Sequence, residues 1–163
     1  MRRRTRGVEL FGAAQIGHVL HKTAQVTITA AQLKALNATP QTLVAAPGAG
    51  FYAIFDGATI ELDYGTAAYA GIAAGEDLAI RYTNGSGAIV GQCEATGFLD
   101  ATADAVRRVM PFCGGGTPAS PAASDITPVA NAALVLHMTS GEITTGDSPL
   151  YITIAYRILK SKL

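Results

Sequence analysis

The sequence predicts an all-β fold, a β-sandwich or jelly-roll-like domain carrying an extended N-terminal arm. Three observations predict it. Apolar residues alternate with polar ones, most clearly Leu150, Ile152, Ile154, Tyr156 and Ile158 against Tyr151, Thr153, Ala155 and Arg157, the pattern of a strand with one buried face. Roughly eight such segments recur along the chain, separated by Gly, Pro, Asn and Asp turn signals, as in sandwiches and barrels. No helical pattern long enough for a crossover lies between them, which argues against a parallel α/β sheet.

Taken in order, residues 1–24 lack strand alternation, and Gly7, Gly12 and Gly17 oppose a helix. They read as an arm with apolar anchor points at Val8, Leu10, Phe11, Ile16, Val19 and Leu20. Such an arm has no core of its own and must dock on a neighbouring copy, another protein or its own domain. Residues 25–29 alternate as a short strand. Thr29 can cap one helical turn through Leu36, Asn37 can close it, and Pro40 blocks continuation. A strand over 42–46 leads to the turn Pro47-Gly48-Ala49-Gly50. Residues 51–56 and 58–64 read as two strands of a hairpin turning at Asp56-Gly57.

A second hairpin joins 78–82 to 88–94 through Asn84-Gly85-Ser86-Gly87. Residues 98–109 suggest a short helix or turn, with Asp100 as its cap, followed by a short strand. Residues 112–124 (FCGGGTPASPAAS) form a Gly/Pro/Ala/Ser-rich loop that cannot pack a core. A buried strand over 132–139, a polar connection over 140–148 and the closing strand over 150–159 complete the chain. The expected organisation is an arm, 1–24, and one sandwich domain, 25–163, with its long loop at 112–124.

Bulk properties bound the function. The 163 residues suit one domain with a real core. Only 15% are charged, against about 25% in ordinary soluble domains, which fits a protein that covers much of its outside with partners. No apolar run reaches the ~18 residues of a spanning helix, so no membrane role is expected. Net charge is zero but uneven. Arg2, Arg3, Arg4 and Arg6 hold four of the twelve basic residues, leaving eight against twelve acidic ones, a net of −4 for the rest. A basic tip on a slightly acidic body seeks an acidic partner. Four arginines would give only a weak, salt-sensitive hold on nucleic acid, so nucleic acid is not the expected partner. The apolar stretch after the arginines is broken by Glu9, Gln15, Gly17 and His18, unlike an export signal. Cys93 and Cys113 lack metal spacing; both a disulfide and free thiols are open to them, and an intracellular assembly context favours free thiols.

Catalytic patterns are sparse. His18 and His21 lack a third ligand nearby, and His137 sits in an apolar strand. Gly85-Ser86-Gly87 lacks the strand–turn–helix setting of a hydrolase elbow. Glu61 and Asp63 stand two apart on one strand face and would support acid–base work if burial split their pKa values; with Asp56 they could collect a cation. The turn 47–50 lacks the Gly-Lys-Ser/Thr of a phosphate loop. The C-terminal Ser161-Lys162-Leu163 and the sequons at Asn37 and Asn84 match processing motifs short enough to arise by chance. No enzyme activity, metal or cofactor is expected.

One run carries a resemblance. The pieces "ALNATP" (35–40), "PGAG" (47–50) and "LDYGTAAYAG" (62–71), with strands between them, resemble small head-decoration (cement) proteins of tailed bacteriophages. The likeness extends more weakly to the closing strand and covers about two thirds of the chain. It implies a non-enzymatic virion protein, made in the bacterial cytoplasm, that binds the capsid's outer surface and stabilises it. The implied partners are the major capsid protein and the chain itself, as a homo-oligomer with a trimer favoured over a dimer. The residues expected to make contact are Arg2, Arg3, Arg4 and Arg6 for charge, and Leu10, Phe11 and Ile16 as apolar anchors; the loop at 114–124 is a further contact candidate. A head-fibre base, a tail or neck component that binds a host, and a small hydrolase using Glu61 and Asp63 are the competing expectations.

Overall fold

A computed structural model describes residues 19–111 and 126–162. Eight strands form: β1 (Val19–Ile28), β2 (Gln41–Val44), β3 (Phe51–Leu62), β4 (Asp77–Tyr82), β5 (Ile89–Glu94), β6 (Ala105–Val109), β7 (Leu134–Met138) and β8 (Leu150–Lys160), with one short helix, α1 (Ala30–Lys34). They build two four-stranded sheets in the orders β1-β8-β3-β6 and β2-β7-β4-β5, and every pairing is antiparallel. Every connection except the β4–β5 hairpin passes from one sheet to the other. That is jelly-roll winding, and the β-sandwich expected from the alternation is what forms.

The two sheets bury the residues that the alternation assigned inward. Ile60, Ile154, Leu78, Ile80, Leu134 and Leu136 are fully enclosed between them, each contributing on the order of 1.5–3 kcal/mol of apolar transfer. Tyr82 spans the gap: its hydroxyl donates to the Ala53 carbonyl of the opposite sheet at 2.8 Å. α1 begins with the expected cap, Thr29, whose hydroxyl accepts from the Gln32 amide while the Gln32 side chain accepts from the Thr29 amide. It buries Leu33 against the core.

Two expectations change. Residues 51–62 are one strand, not a hairpin: Asp56 is an extra residue between the pairs Phe55–Tyr156 and Gly57–Ala155. This bulge reverses the inward parity, from Ala53 and Phe55 before it to Ala58, Ile60 and Leu62 after it. A phase break at Asp-Gly therefore mimics a turn in sequence. Gly57 adopts φ +149°, which side-chain-bearing residues rarely do. The second change lies at the arm boundary. β1 starts at Val19, and residues 19–24 pair with β8 from Val19–Leu159 to Ala24–Ile154. His21 and Lys22 had masked their alternation. The ambiguous segment 98–109 resolves as a turn that buries Phe98 and Leu99, followed by β6.

Candidate interaction surface

The end of the sandwich holding 63–76 is stitched to residues 140–149. Asp147 accepts from the Thr66 amide and hydroxyl and from the Ala67 amide at 2.6–3.0 Å. These bonds hold its carboxyl below the usual carboxylate range. Ser148 accepts from the Gly65 amide at 3.1 Å, and the Thr144 amide donates to the Ala70 carbonyl at 2.9 Å. Buried Tyr69 packs its ring on Gly146 and donates to the Ser148 carbonyl; burial, aided by Asp147, pushes its phenol up to about 12. The fully buried Glu76 ties the amides of Ala73 and Gly141, each at 2.8 Å. Apart from the exposed Asp63, the "LDYGTAAYAG" run is thus a scaffold loop whose polar side chains are consumed internally.

The outer face of β1-β8-β3-β6 is different. Register places Thr27, Tyr151, Glu61 and Val106 in one row across the four strands. The next row is Gln25, Thr153, Thr59 and Arg108, and then come Thr23, Ala155 and Gly57. Strand alternation forces these residues outward because their neighbours fill the core. The result is a broad face where threonines, Ala155 and Gly57 are interspersed with Gln25, Glu61 and Arg108, with Tyr151 44% and Val106 58% exposed. Shallow grooves cross it. One of about 350 Å³ is lined by Glu61, Asp63, Ala105, Val106 and Tyr151, and one of about 530 Å³ by His21, Thr23, Asp56, Ala155 and Arg157. In the second, Arg157 grips the Asp56 carboxylate with Nε and Nη2 at 2.8–2.9 Å.

The candidate residues distribute unevenly. Arg2, Arg3, Arg4, Arg6, Leu10, Phe11, Ile16, His18, Cys113 and the loop at 114–124 lie outside the described residues. Glu61 and Asp63 share one groove, but both are exposed, so the burial that a split-pKa acid–base pair requires is missing. Asp56 is committed to Arg157, which removes it from a cation cluster. His21 is exposed on β1. His137 is buried in β7, where burial, aided by the Arg81 charge, holds its imidazole below the usual range. Burial pushes the Cys93 thiol up to about 11, away from a reactive thiolate.

Among the described residues no group of three His, Cys, Asp or Glu side chains could hold a metal ion, and no helix is long and apolar enough to cross a membrane. No protein-family model, curated protein or solved structure matches this chain. The sequence had shown each row of threonines only as alternation within a strand. Which strands lie side by side, and hence that Thr23, Thr27, Thr59 and Thr153 share one face, is set by long-range register.

Proposed function

We propose that this chain is a non-enzymatic virion structural protein, a decoration or cement protein that binds the outer surface of a phage capsid and stabilises it. The observation that carries this reading is the outer face of β1-β8-β3-β6, a four-strand expanse in which Thr, Ala and Gly alternate with Gln25, Glu61 and Arg108 around exposed Tyr151 and Val106. Its threonines, Ala155 and Gly57 lose little rotamer freedom when covered, which suits broad contact with another protein. The resemblance of the 35–71 run to decoration proteins points the same way. The partner is the major capsid protein, with sibling copies beside it as a homo-oligomer, a trimer favoured over a dimer.

Stabilisation follows from linkage. A binder that prefers the assembled shell over its dissociated subunits raises the shell's stability by mass action, and many symmetry-related copies multiply a modest affinity. The arm residues Arg2, Arg3, Arg4, Arg6, Leu10, Phe11 and Ile16 add a second contact beyond the face.

The test is co-sedimentation with capsids that lack the protein. The full chain, a Thr153→Arg variant and a chain beginning at Val19 are compared; a chain beginning at Gln25 would cut away half of β1. Saturable binding at a fixed ratio to the major capsid protein, at least about tenfold weaker for Thr153→Arg, is the expected result. No binding by the full chain overturns the proposal and favours a tail or neck role. Binding untouched by Thr153→Arg overturns the assignment of the face.

A further inference from the structure

We propose that residues 10–17 (LFGAAQIG) fold back into the apolar groove where the edge strands β1 and β2 of the same chain come together, with Phe11 and Ile16 as the anchors. The inference goes beyond capsid binding, because it concerns the protein on its own, before any shell is met.

The groove holds about 360 Å³ and is lined by Lys22, Val44, Pro47, Phe51, Tyr156 and Ile158. Its walls are core-facing side chains that the core leaves open. On β8 the inward residues Leu150, Ile152 and Ile154 are buried, yet Tyr156 and Ile158, which continue that face, are only half-buried. Phe51 at the start of β3 is half-buried too. The cause is the unequal length of the two sheets. The shorter one stops at the row Val44, Leu134 and Tyr82, while β8 runs on to Lys160 and β1 begins at Val19. Lys22 stands at the mouth, where its aliphatic stem can cover apolar surface while its ammonium stays in water. An occupant that fits is apolar and uncharged. Residues 10–17 carry no charged side chain, and Gly12, Ala13 and Ala14 between the anchors let a backbone lie close to a wall.

The place where the chain enters the body selects this segment. Leu20 pairs with Ile158, which lines the groove. Ile16 precedes Leu20 by four residues and Phe11 by nine, so they can reach ~13–14 Å and ~30 Å from it. Gly17 can take the positive φ of a sharp reversal before β1 begins. So short a tether gives an effective concentration of about a millimolar. The same segment on another copy is outcompeted until the protein itself is that concentrated. Other undescribed residues fit less well. Phe112 is the one large apolar residue of the 112–124 loop, and it follows Pro111, which lies with Val90 at the β5 edge, across the sandwich from β2. Leu163 offers a single side chain, two residues after Ser161, whose amide donates to the Gly50 carbonyl at 2.7 Å. On a shell, Leu10, Phe11 and Ile16 make their contact only by leaving the groove.

The test uses the full chain without capsids. Benzoylphenylalanine replaces Phe11, and light and heavy isotope-labelled copies are mixed at micromolar concentration, irradiated and digested. Crosslinks within one isotope form, to peptides holding Val44 to Phe51 or Tyr156 to Ile158, are expected. Crosslinks between light and heavy copies, crosslinks elsewhere on the body, or none at all overturn the proposal. The second measurement is methyl NMR. In the wild-type chain the Ile158 methyl groups should be shielded from a dissolved paramagnetic probe, and Phe11→Ser with Ile16→Ser should abolish that shielding. Both substitutions lie outside the sandwich, so the body's other methyl signals serve as the control for folding. Equal exposure of Ile158 in the two proteins also overturns it. Capsids enter neither experiment, so the decoration reading stands or falls separately.

Discussion

Removing a single oxygen, Tyr69→Phe, tests whether the loop zipper at 63–76 and 140–149 is a source of stability. Tyr69 is only 2% exposed, and its hydroxyl donates to the Ser148 carbonyl. Phenylalanine retains the ring and its packing on Gly146, so apolar burial nearly cancels between the two proteins. What remains is a buried carbonyl stripped of its donor, which costs about 1–3 kcal/mol. For a chain of this size that corresponds to a fall in Tm of roughly 2–4 °C per kcal/mol, so about 4–8 °C for a midrange loss. Thermal and urea unfolding by circular dichroism read it directly, with the urea m-value unchanged. A pH series adds a second check. The folded phenol, pushed up to about 12, lies above its unfolded value of about 10. Its contribution is therefore complete below pH ~10 and is lost as pH rises toward 12. The gap between wild type and Tyr69→Phe should narrow over that window. A Tm within 1 °C of wild type, or a gap that is flat across it, would refute the reasoning.

Two further perturbations probe the rest of the body. Asp147→Asn should speed hydrogen exchange at the Thr66 and Ala67 amides that its carboxylate now holds. Because the folded carboxyl is depressed, the wild-type advantage is present above pH ~4 and disappears as pH falls through the folded value; equal exchange in the two proteins at pH 7 would contradict this. Arg157→Ala breaks the half-exposed pair with Asp56 and should cost no more than ~1 kcal/mol, less in high salt. A loss several times larger in urea unfolding would mean that the bulge at Asp56 depends on that pair.

What could be read from sequence follows the range of the interaction involved. Period-two alternation is local, and with the Asn84–Gly87 turn signal it located the closing strand and the 78–94 hairpin, while local capping preference located Thr29. Asp56-Gly57 misled because a bulge and a tight turn both need a residue pair that interrupts alternation and tolerates unusual φ. Only the partner strand distinguishes them, and β8, which runs past both halves of β3, lies about a hundred residues downstream. The start of β1 was hidden for a related reason: His21 and Lys22 sit at the open end of an edge strand, where burial exerts little selection for apolar character. The Thr face is a product of register across β1, β8, β3 and β6, so no window of sequence contains it.

The polar groups of the body divide in a way that bears on function. Carboxylates in the connecting loops are folded inward on backbone donors: Glu76 on Ala73 and Gly141, Asp147 on Thr66 and Ala67, Glu142 on Ala38. Such groups stabilise the jelly roll and are spent there. Glu61 and Asp63, like the exposed Glu94 on β5, make no side-chain hydrogen bond or ion pair among the described residues; the first two stand beside exposed Val106 and Tyr151 at one end of the broad sheet. The described fold makes no hydrogen bond or ion pair with either carboxylate, so neither is spent on stability.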